Sequence, residues 1–240
     1  MALRLFAVQG AWNYETMLGN GIAFALEPAL RRLPGGRRGD AYRTALARHA
    51  TYFNAHPYLA GIAVGALAHA ELAGESVERI ERFRTASCSP LGSVGDRLVW
   101  AGWQPACSLL ALAAFAIGAS PWTVVLLFLV LFNVAHVWLR LWGLRVGYRD
   151  GLRVAAALGA PVLRQGPAHL SRVVALLGGL ALPIALRAEL ANAPAQVPAL
   201  AVIAAAAAGA VVLVRLQGRV DGWRIALAGA TICILLSMVL

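Results

Sequence analysis

The run ACSLLALAAFAIGASPWTVVLLFLVLFNVAHVWL, residues 106–139, contains no arginine, aspartate or glutamate over 34 positions. A membrane span takes about 20 apolar residues, so this run is too long for one straight crossing. Its centre, Gly118-Ala119-Ser120-Pro121, combines residues that punctuate helices. The stretch is therefore expected to form two short helices in a hairpin. Broken backbone at membrane depth is tolerated only where protein or a water-filled cavity satisfies it.

Composition points the same way. The chain is 60% hydrophobic and only 13% charged, with a mean hydropathy of +0.70. A soluble domain carries about a quarter of its residues as charges. The expected fold class is an all-α integral membrane protein: several transmembrane helices with broken or re-entrant hairpins, plus an amphipathic N-terminal helical region. The net charge of +10 rests entirely on arginine, since lysine is absent. A basic excess can serve nucleic acid or membrane. No hydrophilic basic domain accompanies it, so nucleic acid is excluded as a partner and membrane lipid is the expected one. Cys88, Cys107 and Cys233 are scattered and lack metal-ligand spacing, so no disulfide framework, metal site or cofactor is expected. The N-terminus lacks the apolar core and cleavage site of a signal peptide and is expected to be retained.

Arginine also sets the organisation. Eleven of the 21 lie in residues 1–100, six in 140–172 and three in 215–224. Residues 1–105 read as an amphipathic and re-entrant N-terminal region and 106–240 as a transmembrane helical region, together one membrane domain. With arginine-rich segments inside, the N-terminus is cytoplasmic and the 106–139 run enters and returns. Segments 173–190 and 197–214 then cross out and back, and 225–240 leaves the C-terminus outside. YLAGIAVGALAHA (58–70), at 13 residues, suits a re-entrant or interfacial segment. DAYRTALARHATYFN (40–54) suits a helix on the membrane surface. GESVERIERFRT (74–85) reads as a solvated amphipathic helix supported by Glu75–Arg79 and Glu78–Arg82 at i,i+4.

Four polar constellations border apolar sequence: Asn13 in AWNYE, Asn54 and His56 in YFNAHPYLAG, Asp96 and Arg97 in GSVGDR, and Asn133 with His136 in LFNVAHVWLRLWGLRVGYRDG. Polar groups near a bilayer face a cavity, a partner or each other. Amides, a carboxylate and aromatic rings are also the groups that recognise a sugar. Each has a structural alternative: an interhelical pair for Asn133 and His136, a helix cap for Asn54, a fold-fixing ion pair for Asp96 and Arg97. Gly92 and Gly95 read as a turn that sets Asp96 in place. Hydrolase, zinc-protease and phosphate-loop motifs are absent, so no catalytic residue is expected.

Taken in order, AWNYETM, YFNAHPYLAG, PLGSVGDRLVW and LFNVAHVWLRLWGLRVGYRDG resemble the IID subunit of the mannose/fructose/sorbose family of the bacterial phosphotransferase system, over roughly residues 6–155. The resemblance implies an inner-membrane subunit that is not itself a phospho-carrier or an enzyme. It would pair with a IIC subunit as a trimer of heterodimers and pass a hexose that the IIA and IIB carriers phosphorylate on entry. The candidate sugar-binding residues are Asn13, Asn54, His56, Asp96 and Arg97, and of these the resemblance itself implies a place near the sugar path for Asp96. Arg97 stands where family members usually have a small residue, and Thr16 where an arginine is common. A non-transporting membrane adaptor with a regulatory role is the alternative.

Overall fold

The computed structural model describes residues 1–153 and 161–190. Met1–Leu182 form one compact unit and Pro183–Leu240 a second, of which only the end of one helix falls in the described residues. The expected spans at 197–214 and 225–240 lie outside them. No strand occurs among the described residues; two isolated bridges, Asn13 with Met17 and Met17 with Phe53, are the only extended pairings there.

A short 3-10 helix, Ala2–Ala7, opens the chain. α1 (Gly19–Leu30), α2 (Asp40–Ala50) and α3 (Ala60–Leu72) follow. α4 (Val77–Gly95) passes through a π-helical segment, Asp96–Trp103, into α5 (Gln104–Ala116), and the helix is continuous from Val77 to Ala116. α6 (Pro121–Asp150) and α7 (Pro161–Leu190) are the remaining α-helices among the described residues.

The expected break at 118–121 is present. Gly118 takes φ +94°, Ser120 accepts the Thr123 N–H at 3.2 Å as an N-cap, and Pro121 occupies the first turn, where its missing N–H costs nothing. The arms, however, are not short. Val77–Ala116 and Pro121–Arg153 are both long and apolar enough to cross a membrane. Pro105 removes the N–H that an α-helix would direct at the carbonyl four residues back, and the wide π turn immediately before it lets the helix continue rather than end. Gly92 and Gly95 lie inside this helix, so the turn expected there does not exist. The division expected at residue 105 also falls within α5.

Apart from His69 and Glu71 near its end, α3 is apolar on every side, and 11 of its 13 residues are buried, as such a helix requires. It is not an interfacial segment but the centre of the described unit, packed chiefly against α6. Gly61 and Gly65 on α3 meet Gly143 and Gly147 on α6. A Cβ on Gly61 would lie 2.6 Å from the Arg140 carbonyl oxygen, and one on Gly143 2.9 Å from Ile62 Cγ1. These are two small-xxx-small motifs face to face, the arrangement that lets helix backbones touch where lipid removes the hydrophobic driving force.

α2 buries Tyr42, Ala45 and His49, so it docks on protein. At the start of α4 Arg79 forms the expected ion pair with Glu75, which precedes the helix, but Arg84 is buried, against the expectation of a solvated helix. On α6 the exposed large residues Trp122, Leu126, Leu129, Val130, Val134 and Trp138 recur at helical spacing and form a face suited to lipid or an apolar partner.

Candidate functional site

The four motifs converge through backbone first. Asn13 Oδ1 accepts the N–H groups of Glu15 at 2.9 Å and Thr16 at 2.8 Å, while its Nδ2 donates to Thr16 Oγ1 at 2.9 Å and to the Ala11 carbonyl at 3.2 Å. This is an Asx-type turn, and it fully occupies the side chain. The loop it shapes is tied to the second motif: Leu18 N–H donates to the Phe53 carbonyl at 2.9 Å and Phe53 N–H to the Thr16 carbonyl at 3.2 Å. Asn13 thus positions the strand-like entry to Asn54 rather than offering its own amide.

His56 N–H donates to the Leu91 carbonyl at 3.2 Å, fastening the second motif to the third. The imidazole is 1% exposed and lies on Gly95, where any Cβ would collide with the ring. That close approach, not a turn, is what requires glycine there. Asn54 is half-buried, with Nδ2 over Gly92. It does not cap α3, whose N-cap is Leu59.

Aromatic rings bring in the fourth motif. His56 sits 4.9 Å from Trp100 and 5.0 Å from Tyr58, ring centroid to centroid. Tyr58 lies 4.8 Å from His136 and 6.1 Å from Phe132. The buried Arg140 guanidinium covers the Tyr58 ring at 4.8 Å and the Phe6 ring at 5.2 Å and donates through Nη1 to the Leu5 carbonyl. Asn133 and His136 do pair, Nε2 to Oδ1 at 2.9 Å, but within α6 and not between helices.

The proton assignments leave groups unused. His56 Nδ1 accepts the Tyr58 N–H at 3.2 Å, which puts the imidazole proton on Nε2. That N–H has no acceptor among the described residues, and neither His136 Nδ1 nor Arg140 Nε has a partner there. Buried polar atoms are nearly always satisfied, and here three unpartnered ones gather around Tyr58. Burial, with the Arg140 charge assisting, lowers the His56 pKa to about 4. The ring is neutral at physiological pH, a donor at Nε2 and an acceptor at Nδ1.

Asp96 and Arg97 do not join this cluster. Both are exposed, and Arg97 Nε donates back to the Ser93 carbonyl at 3.2 Å, so Arg97 does not neutralise Asp96. Asp96 follows Gly95 directly and flanks the His56 contact from outside.

Two further networks were not anticipated. His49, fully buried, donates from Nε2 to Glu71 Oε1 at 2.7 Å and accepts from Arg84 Nη1 at 3.0 Å. Arg48 Nη2 reaches the same carboxylate oxygen at 2.8 Å. Burial lowers the His49 pKa. For Glu71, burial acts upward, but hydrogen bonds from His49 and Arg48 outweigh it and leave the pKa lowered. Glu27 collects Arg4, Arg31, Arg37 and Tyr42. In the sequence these arginines look like solvated flanks, and no local spacing separates the buried ones.

A family model described as PTS system mannose/fructose/sorbose family IID component matches residues 1–187. The mannose-specific EIID component of Escherichia coli K12 is 31% identical over 171 residues, 68% of this chain and 58% of that protein. The sorbose-specific EIID component of Klebsiella pneumoniae is 30% identical over 174 residues, 69% of this chain and 61% of that one. The chain is thus an all-helical membrane protein, and it belongs to the PTS mannose/fructose/sorbose IID family. It spans about 58% of the length of the mannose-specific relative.

Two solved structures share the fold. One, a membrane protein, gives a TM-score of 0.74 at 23% identity, covering 98% of this chain and 93% of that one. The other, a cryo-EM structure of the mannose transporter ManYZ with microcin E492, gives 0.58 at 24% identity, covering 98% and 92%.

Proposed function

We propose that the chain is the IID membrane subunit of a phosphotransferase-system sugar permease. With a IIC subunit it forms the path for a mannose-type hexose, which IIA and IIB phosphorylate on entry; this chain carries no phosphoryl group and catalyses no step itself. The assembly is a trimer of IIC–IID heterodimers in the inner membrane. The arginine distribution supports a cytoplasmic N-terminus and an outer C-terminus. The names of the relatives and of the ManYZ structure support the partner and substrate class.

The observation that carries the sugar reading is the convergence of His56, Tyr58, His136 and Arg140 with unused buried donors and an acceptor beside exposed Trp100. Sugar hydroxyls satisfy such atoms, and an aromatic ring covers an apolar sugar face. His56 and Asn54 are the direct contacts in this proposal, with Asp96 at the entrance. Asn13 acts by holding the loop before Asn54, and Arg97 faces elsewhere.

The test is to co-express the chain with a candidate IIC partner, purify through a tag on this chain, and titrate mannose, glucose, fructose and N-acetylglucosamine. His56→Ala is expected to weaken binding of the favoured hexose about tenfold or more, the scale of a lost buried hydrogen bond. Asp96→Asn is expected to lower uptake with assembly intact. A stable complex that binds none of these sugars would favour the adaptor and end the permease reading.

The pH dependence has a defined sign. Because the folded His56 pKa lies below its ordinary value of 6.5, the neutral ring favours the folded state fully above about pH 6.5. That contribution is lost as pH falls toward 4. Sugar binding is expected to hold down to about pH 5 and to fail near 4, and this pH limit should move in a His56→Gln variant that still binds.

A further inference from the structure

α7 runs parallel to the π segment and α5. Leu98 Cδ1 lies 2.8 Å from where a Cβ on Gly166 would be, Leu170 Cβ 3.0 Å from one on Gly102, and Leu109 Cδ1 3.7 Å from one on Gly178. These pairs keep an almost constant offset, so the two helices stay in step from Leu98 to Leu109.

At the start of this contact a cavity of about 410 Å³ is lined by Val94, Arg97, Leu163, Arg164, Pro167 and Ala168. Two arginines line it and no acidic residue does. Neither arginine has an ion-pair partner among the described residues. Asp96 is next to Arg97 in sequence and exposed, but it is not part of the lining.

Depth in the bilayer limits what can fill the cavity. From Leu98 to Ala116 the helix carries no charged residue. At about 1.5 Å per residue that stretch is close to the roughly 30 Å of a hydrocarbon core. Arg97 therefore stands at headgroup level, within two turns of Trp100 and Trp103, where interfacial tryptophans gather. The arginine-rich segments put this end on the cytoplasmic side, the leaflet face where basic pockets between helices hold anionic headgroups. The rest of the lining, Val94, Leu163, Pro167 and Ala168, is apolar and suits the first carbons of an acyl chain.

We propose that the cavity between the π segment and α7 binds an anionic phospholipid, with Arg97 and Arg164 donating to the phosphodiester oxygens. Guanidinium groups match such oxygens with paired hydrogen bonds. The site is separate from the His56 cluster and does not depend on whether the protein carries sugar.

Native mass spectrometry of the full chain, with any co-purifying membrane partner, tests the proposal after reconstitution into nanodiscs of phosphatidylcholine with or without phosphatidylglycerol. Wild type is expected to retain phosphatidylglycerol through detergent exchange. Retention should fall about fivefold with Arg97→Ala or Arg164→Ala and about 25-fold with both, on the scale of one basic side chain each at an anionic surface. Arg97→Lys should keep much of it. Both side chains are exposed, so unchanged circular dichroism and elution confirm folded variants.

Equal retention by the double variant, or equal retention of phosphatidylcholine by wild type, would overturn the assignment. Displacement of the lipid by inorganic phosphate alone would make this a soluble-anion site instead. If Arg97→Glu with Arg164→Glu releases a partner subunit while lipid content is unchanged, the cavity is a protein docking site and the lipid proposal fails.

Discussion

Gly147→Leu is expected to leave no folded protein recoverable from the membrane. A side chain at Gly147 would drive into the backbone of Ile62, with the Ala66 nitrogen 3.0 Å from its first carbon. Across the same contact, a Cβ on Gly65 would lie 2.5 Å from Tyr148 N and 2.9 Å from Gly147 C. Backbone cannot rotate aside as a flexible side chain can, so the helices must separate. In lipid, where close van der Waals packing holds helices together, separation forfeits the interaction itself. Overpacking in a core that can adjust costs about 1–3 kcal/mol; a clash with unyielding backbone exceeds that range, against a net stability of only about 5–15 kcal/mol. Gly65→Leu should fail in the same way. Gly179, with nothing within 4 Å of its added Cβ, supplies the control: Gly179→Ala should accumulate like wild type. Detergent-solubilised yield and fluorescence-detected gel filtration measure all three. Normal yield of Gly147→Leu would mean that α3 and α6 do not pack as described.

The second large effect belongs to Glu27. The residue is 7% exposed, and its carboxylate accepts Arg31 Nε at 2.5 Å, Arg37 Nη2 at 2.9 Å, Arg4 Nη1 at 3.0 Å and Tyr42 OH at 3.2 Å. One side chain thereby ties the N-terminal 3-10 helix, α1, the Gly36–Arg38 turn and α2. Glu27→Gln preserves shape but leaves three guanidinium groups facing an amide. Breaking a buried ion pair costs 3–5 kcal/mol. Arg31 and Arg37 are substantially solvated, which reduces the expected loss to about 2 kcal/mol.

The pH behaviour separates this network from ordinary destabilisation. The Arg31 hydrogen bond, helped by Arg37 and Tyr42 and opposed by burial, brings the Glu27 pKa from 4.5 to about 2. A depressed carboxylate stabilises fully above its unfolded value and loses that contribution as pH falls through the folded one. Wild type and Glu27→Gln should therefore differ most in melting temperature above about pH 4.5 and converge toward pH 2. Glu71 titrates in the same direction, but it is common to both proteins and drops out of the difference. Tryptophan-fluorescence melts in detergent read the effect directly, and identical curves at pH 6 would show that the network contributes nothing.

The break at Gly118 to Pro121 was legible because glycine and proline act locally, through φ and a missing N–H. The same reasoning misled at Gly92 and Gly95, since a glycine required by a neighbour's ring looks identical in sequence to one required by a turn. Gly95 faces His56 across 39 positions of sequence, and no local pattern records that. The spacing of Gly61, Gly65, Gly143 and Gly147 was a readable signal, hidden inside runs that look like ordinary apolar filling. Arg84 and Arg140 were unreadable as buried groups because a chain whose only basic residue is arginine uses it for flanks and interiors alike. The π segment left no mark beyond Pro105. Of the candidate contacts, His56 and Asn54 could be picked out from their place before an apolar segment. Arg140 and Tyr58 enter only because α3 and α6 touch.

The burial of α3 also bears on how the protein is made. At 13 residues it is too short to settle across a bilayer alone, and the surface it needs belongs to α6, whose Gly147 emerges 82 residues after Gly65. At about 5–20 residues per second of translation, the ribosome adds that stretch in roughly 4–16 s. Throughout that interval an apolar segment has left the exit tunnel without its permanent neighbour. Biogenesis therefore depends on a holding partner, the insertion machinery or the membrane interface, and a ribosomal pause before α6 would lengthen the exposure that quality-control proteases exploit.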